Sequence, residues 1–396
     1  MGRAAQASAL GTLYGSVVDT YSGKVLYSLR ANQQTPSASV MKLFTGAASI
    51  MYLPSSYRAE TSVWSVDDDP GAILLRAGGD HTLSRLSPPH YTTYAKPGRL
   101  DNLASQTLAK LPAGQVITKI VIDDTFFSGE AYNPSWKASD RSNGYVSPIT
   151  SLAVDAARVN PDLTSKDYSG TRVSDPQSQA AALFKKVLGP QAKNAVISFS
   201  YTAGLEKTKL TSVFSAPVTV WIDHAMKVSD NTETEYLIRH VLHYSERGTN
   251  HADIEPVIRY MLEVLGISAR GLVMKDAAGL AQDDRVTPQL VTALLREAAQ
   301  PGSPISSLPG YLATSTSIGT VNTRFTGANA IVKGNVQAKT GFIPGLYSLA
   351  GLVNTKDNHR LAFAFFARGA GTGGGTRAAI DTLVARVYTC GIRLTK

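Results

Sequence analysis

The chain has 396 residues, of which 43% are hydrophobic and 17% are charged, so it can bury large cores and should form two or three domains. No run of about 18 uncharged apolar residues occurs, which predicts no membrane span. The net charge of +9 favours an anionic partner such as nucleic acid, a cell-wall polymer or a membrane surface. No dense Lys/Arg block supports nucleic acid, so we expect none. The single cysteine, Cys390, excludes an internal disulfide and a cysteine metal cluster.

The N-terminal residues predict a β-hairpin followed by a helix. Strand-like runs cover residues 13–19 and 24–29, and the apolar run that follows predicts a helix with Ser39 and Lys42 on one face. A serine hydroxyl becomes a nucleophile when a nearby base takes its proton, and a lysine whose pKa is lowered can be that base. An ordinary helical turn is the alternative interpretation, because Ser-x-x-Lys occurs by chance in many chains.

The middle of the chain predicts a separate region rich in β-structure. Short runs of strand-forming residues at 61–66, 72–77 and 116–123 alternate with turn residues. This texture differs from the helical patterns on either side, which indicates an inserted region.

A junction between two helices is predicted after this region. Helical patterns at 217–227 and 232–243 leave Ser229, Asp230 and Asn231 between them. Ser, Asp and Asn are ordinary helix caps, but the same position allows their side chains to point into a cleft. Both interpretations are open from the residues alone.

The histidines of this stretch do not form a metal-binding motif. His240, His243 and His251 lie near one another, but no carboxylate or further histidine completes a known spacing. We therefore expect no metal site and no cofactor.

The C-terminal block predicts an antiparallel sheet and a final helix. Strand-like runs surround Lys339-Thr340-Gly341 and continue at 347–354 and 361–367. Gly341 leaves room for the backbone of a ligand to lie against its strand. The glycine-rich residues 369–375 predict a flexible loop before a helix at 378–388.

Three short motifs occur in a fixed order along the chain, namely Ser39-x-x-Lys42, Ser229-Asp230-Asn231 and Lys339-Thr340-Gly341. The same three motifs characterise class A β-lactamases and penicillin-binding proteins. Further segments are similar to one family in particular, at residues 76–83, 120–127, 226–231 and 319–325. With these segments the chain resembles the class C low-molecular-mass penicillin-binding proteins, the D-Ala-D-Ala carboxypeptidase/endopeptidase group.

The resemblance implies a fold and a domain arrangement. The expected fold class is α/β (α+β), with a serine penicillin-recognising, transpeptidase-like domain whose antiparallel sheet is flanked by helices. The family fills the long separation between its first and second motifs with inserted domains. We expect residues 1–56 and 216–396 to form a discontinuous penicillin-binding domain, and residues 57–215 to form a β-rich insert of one or two domains.

The resemblance also implies a reaction and its catalytic residues. Ser39 is expected to attack the carbonyl of the penultimate D-Ala while Lys42 accepts its proton. Ser229 and Lys339 are expected to relay a proton to the leaving D-amino acid. Asn231 is expected to hold the peptide amide of the substrate.

The third motif is expected to bind the end of the substrate. The resemblance implies that Thr340 and Lys339 bind the terminal carboxylate, beside Gly341. The oxyanion is expected between the backbone N–H groups of Ser39 and Phe342. The expected substrates are peptidoglycan stem peptides, and β-lactam antibiotics are the expected covalent inhibitors.

Two departures from the family pattern bear on activity. Phe342 stands where the family usually has a second hydroxyl residue, which favours endopeptidase activity or another donor preference over carboxypeptidase activity. The segment from Asp276 to Ala281 reads Asp-Ala-Ala-Gly-Leu-Ala instead of Asp-Gly-Ser-Gly-Leu-Ser, so any polar role of those two serines is lost or moved.

A catalytically weak cell-wall-binding scaffold is an alternative function. A β-lactamase is a third, less favoured because no Glu-x-x-x-Asn element is placed to activate a deacylating water.

A loop of the insert offers three further contacts. Residues 134–145 resemble a loop that in some relatives reaches the cleft, which implies Trp136 and Tyr145 as walls and Asp140 as a charged contact. The alternative is a surface loop with two packed aromatic residues.

The expected location follows from the expected substrate. An enzyme of peptidoglycan is exported, and is periplasmic or associated with the cell wall. Residues 1–5 contain no apolar signal core, which leaves open whether an export signal precedes this start.

Overall fold

The computed structural model describes residues 1–66, 69–162, 170–369 and 374–394. The strands within these residues are β1 Thr12–Asp19, β2 Val25–Leu29, β3 Glu60–Val66, β4 Ala72–Arg76, β5 Lys119–Asp123, β6 Val196–Ser198, β7 Glu206–Phe214, β8 Ala313–Thr314, β9 Val336–Ile343, β10 Leu346–Asn354 and β11 Arg360–Arg368. The α-helices are α1 Gly2–Ala5, α2 Lys42–Tyr52, α3 Leu100–Lys110, α4 Ala138–Ser142, α5 Pro176–Val187, α6 Val218–Val228, α7 Asn231–Tyr244, α8 Ile254–Val264, α9 Pro288–Ala298, α10 Leu308–Tyr311 and α11 Gly374–Cys390. Within the described ranges, no helix has the length and apolar character needed to span a bilayer.

The chain divides into two compact units. The first comprises Met1–Leu53, Ile222–Leu242 and His251–Lys396, and the second comprises Pro54–Trp221 and His243–Asn250. The domain boundaries expected from the sequence stay a prediction, because compactness alone does not establish which segments fold by themselves.

The first unit is built on a six-stranded antiparallel sheet with the strand order β2-β1-β11-β10-β9-β8. Because side chains alternate along a strand, β1 contributes to both faces of the sheet. Val17 and Phe365 pack with Leu383 of α11 in one buried cluster. On the other face, Ser16 Oγ lies 3.0 Å from Thr292 Oγ1 of α9. The predicted antiparallel sheet flanked by helices is confirmed.

The second unit contains a five-stranded mixed sheet with the order β6-β5-β4-β3-β7. Strand β4 pairs in parallel with β5, and β5 with β6, whereas β3 pairs antiparallel with β4 and β7. The sequence does not predict helices α3 and α5. Parallel neighbours need a crossover connection, however, and these two helices lie on the connections from β4 to β5 and from β5 to β6. Leu103 and Phe184 of the two helices pack with Ile73 and Ile120 of the sheet.

The C-terminal helix is longer than the sequence predicts. Residues 370–373 of the predicted loop lie outside the described residues, and α11 extends the predicted helix of 378–388 at both ends. Its buried residues Ile380 and Val384 pack in the same cluster as the sheet of the first unit. Tertiary packing of this face explains why glycines at the helix start do not exclude helical structure.

A buried ion pair joins the segment before β9 to α11. Arg324 Nη2 lies 2.7 Å from Asp381 Oδ1, and both side chains are less than a tenth exposed. The backbone N–H of Phe325 donates to Asp381 Oδ2 at 3.2 Å. Removing one partner of such a pair leaves an uncompensated buried charge.

We expect Asp381→Ala to lower the free energy of unfolding by about 3–5 kcal/mol, because Arg324 loses its counter-charge. The double variant Arg324→Met/Asp381→Asn removes both charges and keeps an acceptor for Phe325, so it should recover most of this loss. Urea denaturation followed by circular dichroism compares the three proteins. An Asp381→Ala protein as stable as the wild type would contradict the prediction.

Candidate active site

Ser39 lies in a short 3-10 turn that leads into helix α2. The turn covers Ala38–Met41, and α2 begins at Lys42. Side chains three residues apart are eclipsed in a 3-10 helix, so Ser39 and Lys42 face the same side. Lys42 Nζ lies 3.1 Å from Ser39 Oγ. The structure therefore brings the two residues of the first motif into hydrogen-bond contact.

The Lys42 amine is completely buried and has two further acceptors. It donates to Asn231 Oδ1 and to the carbonyl oxygen of Ala278, both at 2.7 Å. Burial lowers the pKa of Lys42 to about 8, although the nearby carboxyl groups of Asp276 and Glu235 favour its charged form. Lys42 is thus a lysine that can lose its proton near neutral pH.

The second motif lies at the predicted junction of helices α6 and α7, with Ser229 and Asp230 between them and Asn231 as the first residue of α7. Asp230 Oδ1 accepts from the backbone N–H of Glu233 at 2.9 Å, so capping of α7 is the role of this residue. Ser229 has a φ of +67°, a left-handed conformation that non-glycine residues rarely adopt. Its Oγ accepts from Lys339 Nζ at 2.9 Å. The two interpretations of this junction therefore apply to different residues, because Asp230 caps the helix whereas Ser229 and Asn231 contact the two lysines.

The third motif lies on strand β9 and adds a second buried amine. Lys339 Nζ also donates to the carbonyl oxygen of Thr340 at 3.0 Å, and Thr340 Oγ1 donates to Thr320 Oγ1 at 2.8 Å. Burial, together with the charge of Lys42, lowers the pKa of Lys339 well below its usual value. Lys42 therefore contacts Ser39 and Asn231, and Lys339 contacts Ser229, and burial disfavours the charged form of both lysines.

Two glycines, Gly341 and Gly279, allow their segments to pack closely against the backbone at Ala38. A Cβ on Gly341 would lie 2.2 Å from Ser348 Oγ and 3.1 Å from the Cβ of Ala38. A Cβ on Gly279 would lie 2.0 Å from the carbonyl oxygen of Ala38, and this glycine has a φ of +82°. Strand β9 and the loop that contains Gly279 therefore pack directly against the turn that carries Ser39.

Phe342, the residue after the third motif, has a half-exposed side chain. It is 52% exposed, and its ring packs against that of Tyr347 at an angle of 43°, with 4.7 Å between the centroids. The two residues are direct partners on strands β9 and β10. The position therefore presents an aromatic surface and no hydroxyl group.

The predicted contacts of the 134–145 loop lie in the second unit. Trp136 is buried and packs edge-on against Tyr132, with 6.3 Å between the ring centroids. Asp140 Oδ2 accepts from the backbone N–H of Lys137 at 3.1 Å, and Tyr145 is exposed. Their role as substrate contacts stays a prediction.

Among the described residues, one group has ligand atoms close enough to hold a metal ion. His224, Asp230 and Glu233 have ligand atoms within 4.8 Å of one another. His224 Nδ1 lies 2.6 Å from Glu233 Oε2, and Asp230 caps α7, so these side chains already have hydrogen-bond partners. In the described part of the chain, no such group includes the histidines considered from the sequence, namely His240, His243 and His251.

Three contributors to the site were not assigned from the sequence. The first is the hydroxyl of Thr320, which lies in the family-like segment 319–325, and that resemblance could have indicated its place in the site. Glu235 lies four residues after Asn231 and so on the same face of α7, which was a weaker signal. The carbonyl of Ala278 had no signal, because a backbone acceptor is present in every residue.

Comparison with known proteins identifies one family. The D-Ala-D-Ala carboxypeptidase 3 (S13) family matches residues 2–172 and 166–387. Carboxypeptidase DacB of Mycolicibacterium smegmatis is 30% identical over 385 residues, which cover 96% of this chain and 81% of that protein. A D-alanyl-D-alanine carboxypeptidase of Actinomadura sp. is 26% identical over 433 residues, which cover 89% of this chain and 77% of that protein.

A solved structure shows the same fold. Penicillin binding protein 4 from Haemophilus influenzae superimposes with a TM-score of 0.83 at 18% identity, covering 98% of this chain and 100% of that chain. The family match extends over most of the sequence, and the resemblance found from the three motifs is confirmed. The chain belongs to the D-Ala-D-Ala carboxypeptidase 3 (S13) family.

Proposed function

We propose that the protein is a serine DD-peptidase that cleaves peptidoglycan stem peptides through an acyl-enzyme on Ser39. The observation that carries this proposal is the 3.1 Å contact between Ser39 Oγ and the buried amine of Lys42. Membership of the D-Ala-D-Ala carboxypeptidase 3 (S13) family supports the reaction class, and action on peptidoglycan implies action outside the cytoplasm.

Acylation begins with proton transfer from Ser39 to Lys42. A neutral amine has two N–H donors and one lone pair. The two donors bind Asn231 Oδ1 and the Ala278 carbonyl, so the lone pair is left for the proton of Ser39. The Ser39 oxygen then forms a bond to the carbonyl carbon of the penultimate D-Ala. Backbone N–H groups of Ser39 and Phe342 stabilise the oxyanion.

Collapse of this intermediate breaks the bond to the leaving D-amino acid. The leaving nitrogen needs a proton, and Ser229 supplies it because its hydroxyl contacts Lys339, which the bound substrate carboxylate keeps charged and which replaces the proton. Exchange with solvent then removes from Lys42 the proton taken from Ser39 and returns one to Lys339. Water then attacks the ester on Ser39, releases the stem peptide as a carboxylic acid and restores the hydroxyl. A β-lactam follows the same first step, but its amine stays tethered to the acyl group.

Substrate binding involves the rest of the third motif and the insert. Asn231 holds the peptide amide, and Thr340 with Lys339 holds the terminal carboxylate beside Gly341. A carboxylate near Lys339 would also favour the charged form of that lysine. Trp136, Asp140 and Tyr145 are proposed contacts for the side chain of the stem peptide. Two aromatic rings and one carboxyl group suit a stem peptide whose side chain has both an apolar part and a charge.

Phe342 is proposed to set the balance between two activities. Phenylalanine has no hydroxyl group, so this position offers only an aromatic ring, packed against Tyr347, to a free substrate carboxylate. A cross-linked donor has an amide where a carboxypeptidase substrate has that carboxylate. The aromatic surface therefore favours endopeptidase substrates.

Ser39→Ala is expected to abolish covalent labelling by benzylpenicillin. Intact-mass spectrometry should show one added penicillin on the wild type and none on Ser39→Ala. Ser37→Ala is the matched control, since Ser37 lies in the same segment and contributes its backbone carbonyl to Ser348. A folded wild type without an adduct would contradict the acyl-enzyme, and rapid release with steady hydrolysis of penicillin would indicate a β-lactamase.

The rate of acylation is expected to rise with pH and to level off above about pH 8. Lys42 accepts a proton only in its neutral form, which is the minority form below its pKa of about 8. At subsaturating penicillin, the rate constant should therefore fall about tenfold for each pH unit below the pKa. Stopped reactions between about pH 6 and pH 9.5 test this slope, and a flat or falling profile would exclude Lys42 as the base.

Phe342→Thr is expected to raise the ratio of carboxypeptidase to endopeptidase activity about tenfold, since a hydrogen bond to a charged group contributes about 1.5 kcal/mol or more. The ratio is measured on a pentapeptide with a free terminal carboxylate and on a cross-linked dimer. Phe342→Val is the control because valine has the shape of threonine without the hydroxyl. An equal rise for both variants would show that loss of the ring is responsible.

A further inference from the structure

Glu235 is a buried carboxyl group to which the proposed reaction assigns no role. It lies on α7 and is completely buried. Its Oε1 accepts from the backbone N–H groups of Ala277 and Ala278, both at 2.8 Å. Within the described residues, its Oε2 has no hydrogen-bond partner. Glu235 is therefore bound to the backbone of one loop through a single oxygen.

The same loop, residues 276–281, is held from within by Asp276. The Asp276 carboxylate accepts from the backbone N–H groups of residues 279–281 at 2.6, 3.0 and 2.8 Å. Two carboxyl groups thus satisfy five successive N–H groups of a segment that belongs to no helix or strand. Because buried N–H groups are costly when unpaired, the position of this loop depends on these two side chains.

The peptide bond between Ala278 and Gly279 connects this loop to the proton acceptor. Its carbonyl oxygen accepts from Lys42 Nζ at 2.7 Å, and its N–H donates to Asp276. One residue earlier, Thr45 Oγ1 donates to the carbonyl of Ala277 at 2.8 Å. The Ala278 carbonyl is therefore an acceptor whose direction is set by the contacts around it.

We propose that Glu235 is a positioning residue for the proton acceptor. It holds the N–H groups of Ala277 and Ala278, so that the Ala278 carbonyl orients the Lys42 amine toward Ser39. The inference rests on the proposed acyl-enzyme mechanism and adds to it a residue that touches neither substrate nor the reacting atoms. A shift of this carbonyl by about 1 Å would misdirect the amine and reduce the rate about 10²-fold.

This role requires an acceptor and does not require a charge. Burial and the neighbouring Asp276 raise the pKa of Glu235 to about 8, which disfavours a charge at this position. Glutamine has the same length and keeps a carbonyl oxygen at this position. Glutamine should therefore preserve the function of Glu235, whereas alanine should remove it.

The experiment compares Glu235→Ala and Glu235→Gln in the full chain. The rate constant of acylation by benzylpenicillin is measured by intact mass, and kcat and KM are measured on a D-Ala-D-Ala peptide. We expect Glu235→Ala to lower acylation and kcat about 10²-fold with KM changed much less. We expect Glu235→Gln to stay within about threefold of the wild type. Acylation of Glu235→Ala at the wild-type rate, or equal loss in both variants, would overturn the proposal.

Glu233→Gln is the matched control, because it changes another buried carboxyl two residues earlier on α7. Glu233 pairs with His224, so this variant should lower the melting temperature without a comparable loss of acylation. A loss as large as that of Glu235→Ala would show a general effect of α7 and would overturn the proposal. A wild type that forms no adduct would instead refute the proposed function itself.

If Glu235→Ala does not fold, Thr45→Val takes its place. Valine keeps the shape of threonine and releases the carbonyl of Ala277, so it loosens the same loop without changing a carboxyl group. Acylation should then fall about tenfold. Acylation at the wild-type rate would overturn the proposal.

Discussion

The site depends on the burial of one amine, that of Lys42. Removing an ammonium ion from water costs several kcal/mol unless acceptors surround it, and burial lowers its pKa toward the neutral form. Here both effects occur, since Ser39, Asn231 and the Ala278 carbonyl surround the amine and its pKa is about 8. The same burial that makes Lys42 a base at neutral pH therefore requires three separate segments to meet at its Nζ.

Two glycines allow backbone segments of the site to pack closely around the turn that carries Ser39. Gly341 and Gly279 bring β9 and the 276–281 loop against Ala38, the residue before Ser39. Ser229 is held in a left-handed conformation, with its hydroxyl on Lys339. Such strain persists only where the surroundings over-determine it, and the cap formed by Asp230 on α7 is one such constraint. Packing, strain and proton transfer are thus linked in this site.

The sequence predicted the parts of this structure that depend on residue identity. The three motifs, strand β9 and the helix junction at Ser229 follow from residue types and hydrophobic patterns. Helices α3 and α5 were missed, although the parallel pairing of β4 with β5 explains them afterwards. The contact between the rings of Phe342 and Tyr347 depends on the pairing register of two strands, which residue order alone does not specify. The Ala278 carbonyl was missed for a different reason, because every residue has one.

The 276–281 loop shows how a polar role can be kept after polar side chains are lost. The family that the sequence resembles commonly has two serines here, and this chain has alanines at both positions. Nevertheless the loop makes polar contacts at both ends of one peptide bond, with Asp276 at its N–H and Lys42 at its carbonyl. Hydrogen bonds in a chain polarise one another, so a carboxylate on the N–H strengthens the carbonyl as an acceptor. Since backbone atoms make these contacts, alanine in place of serine is compatible with a working proton acceptor.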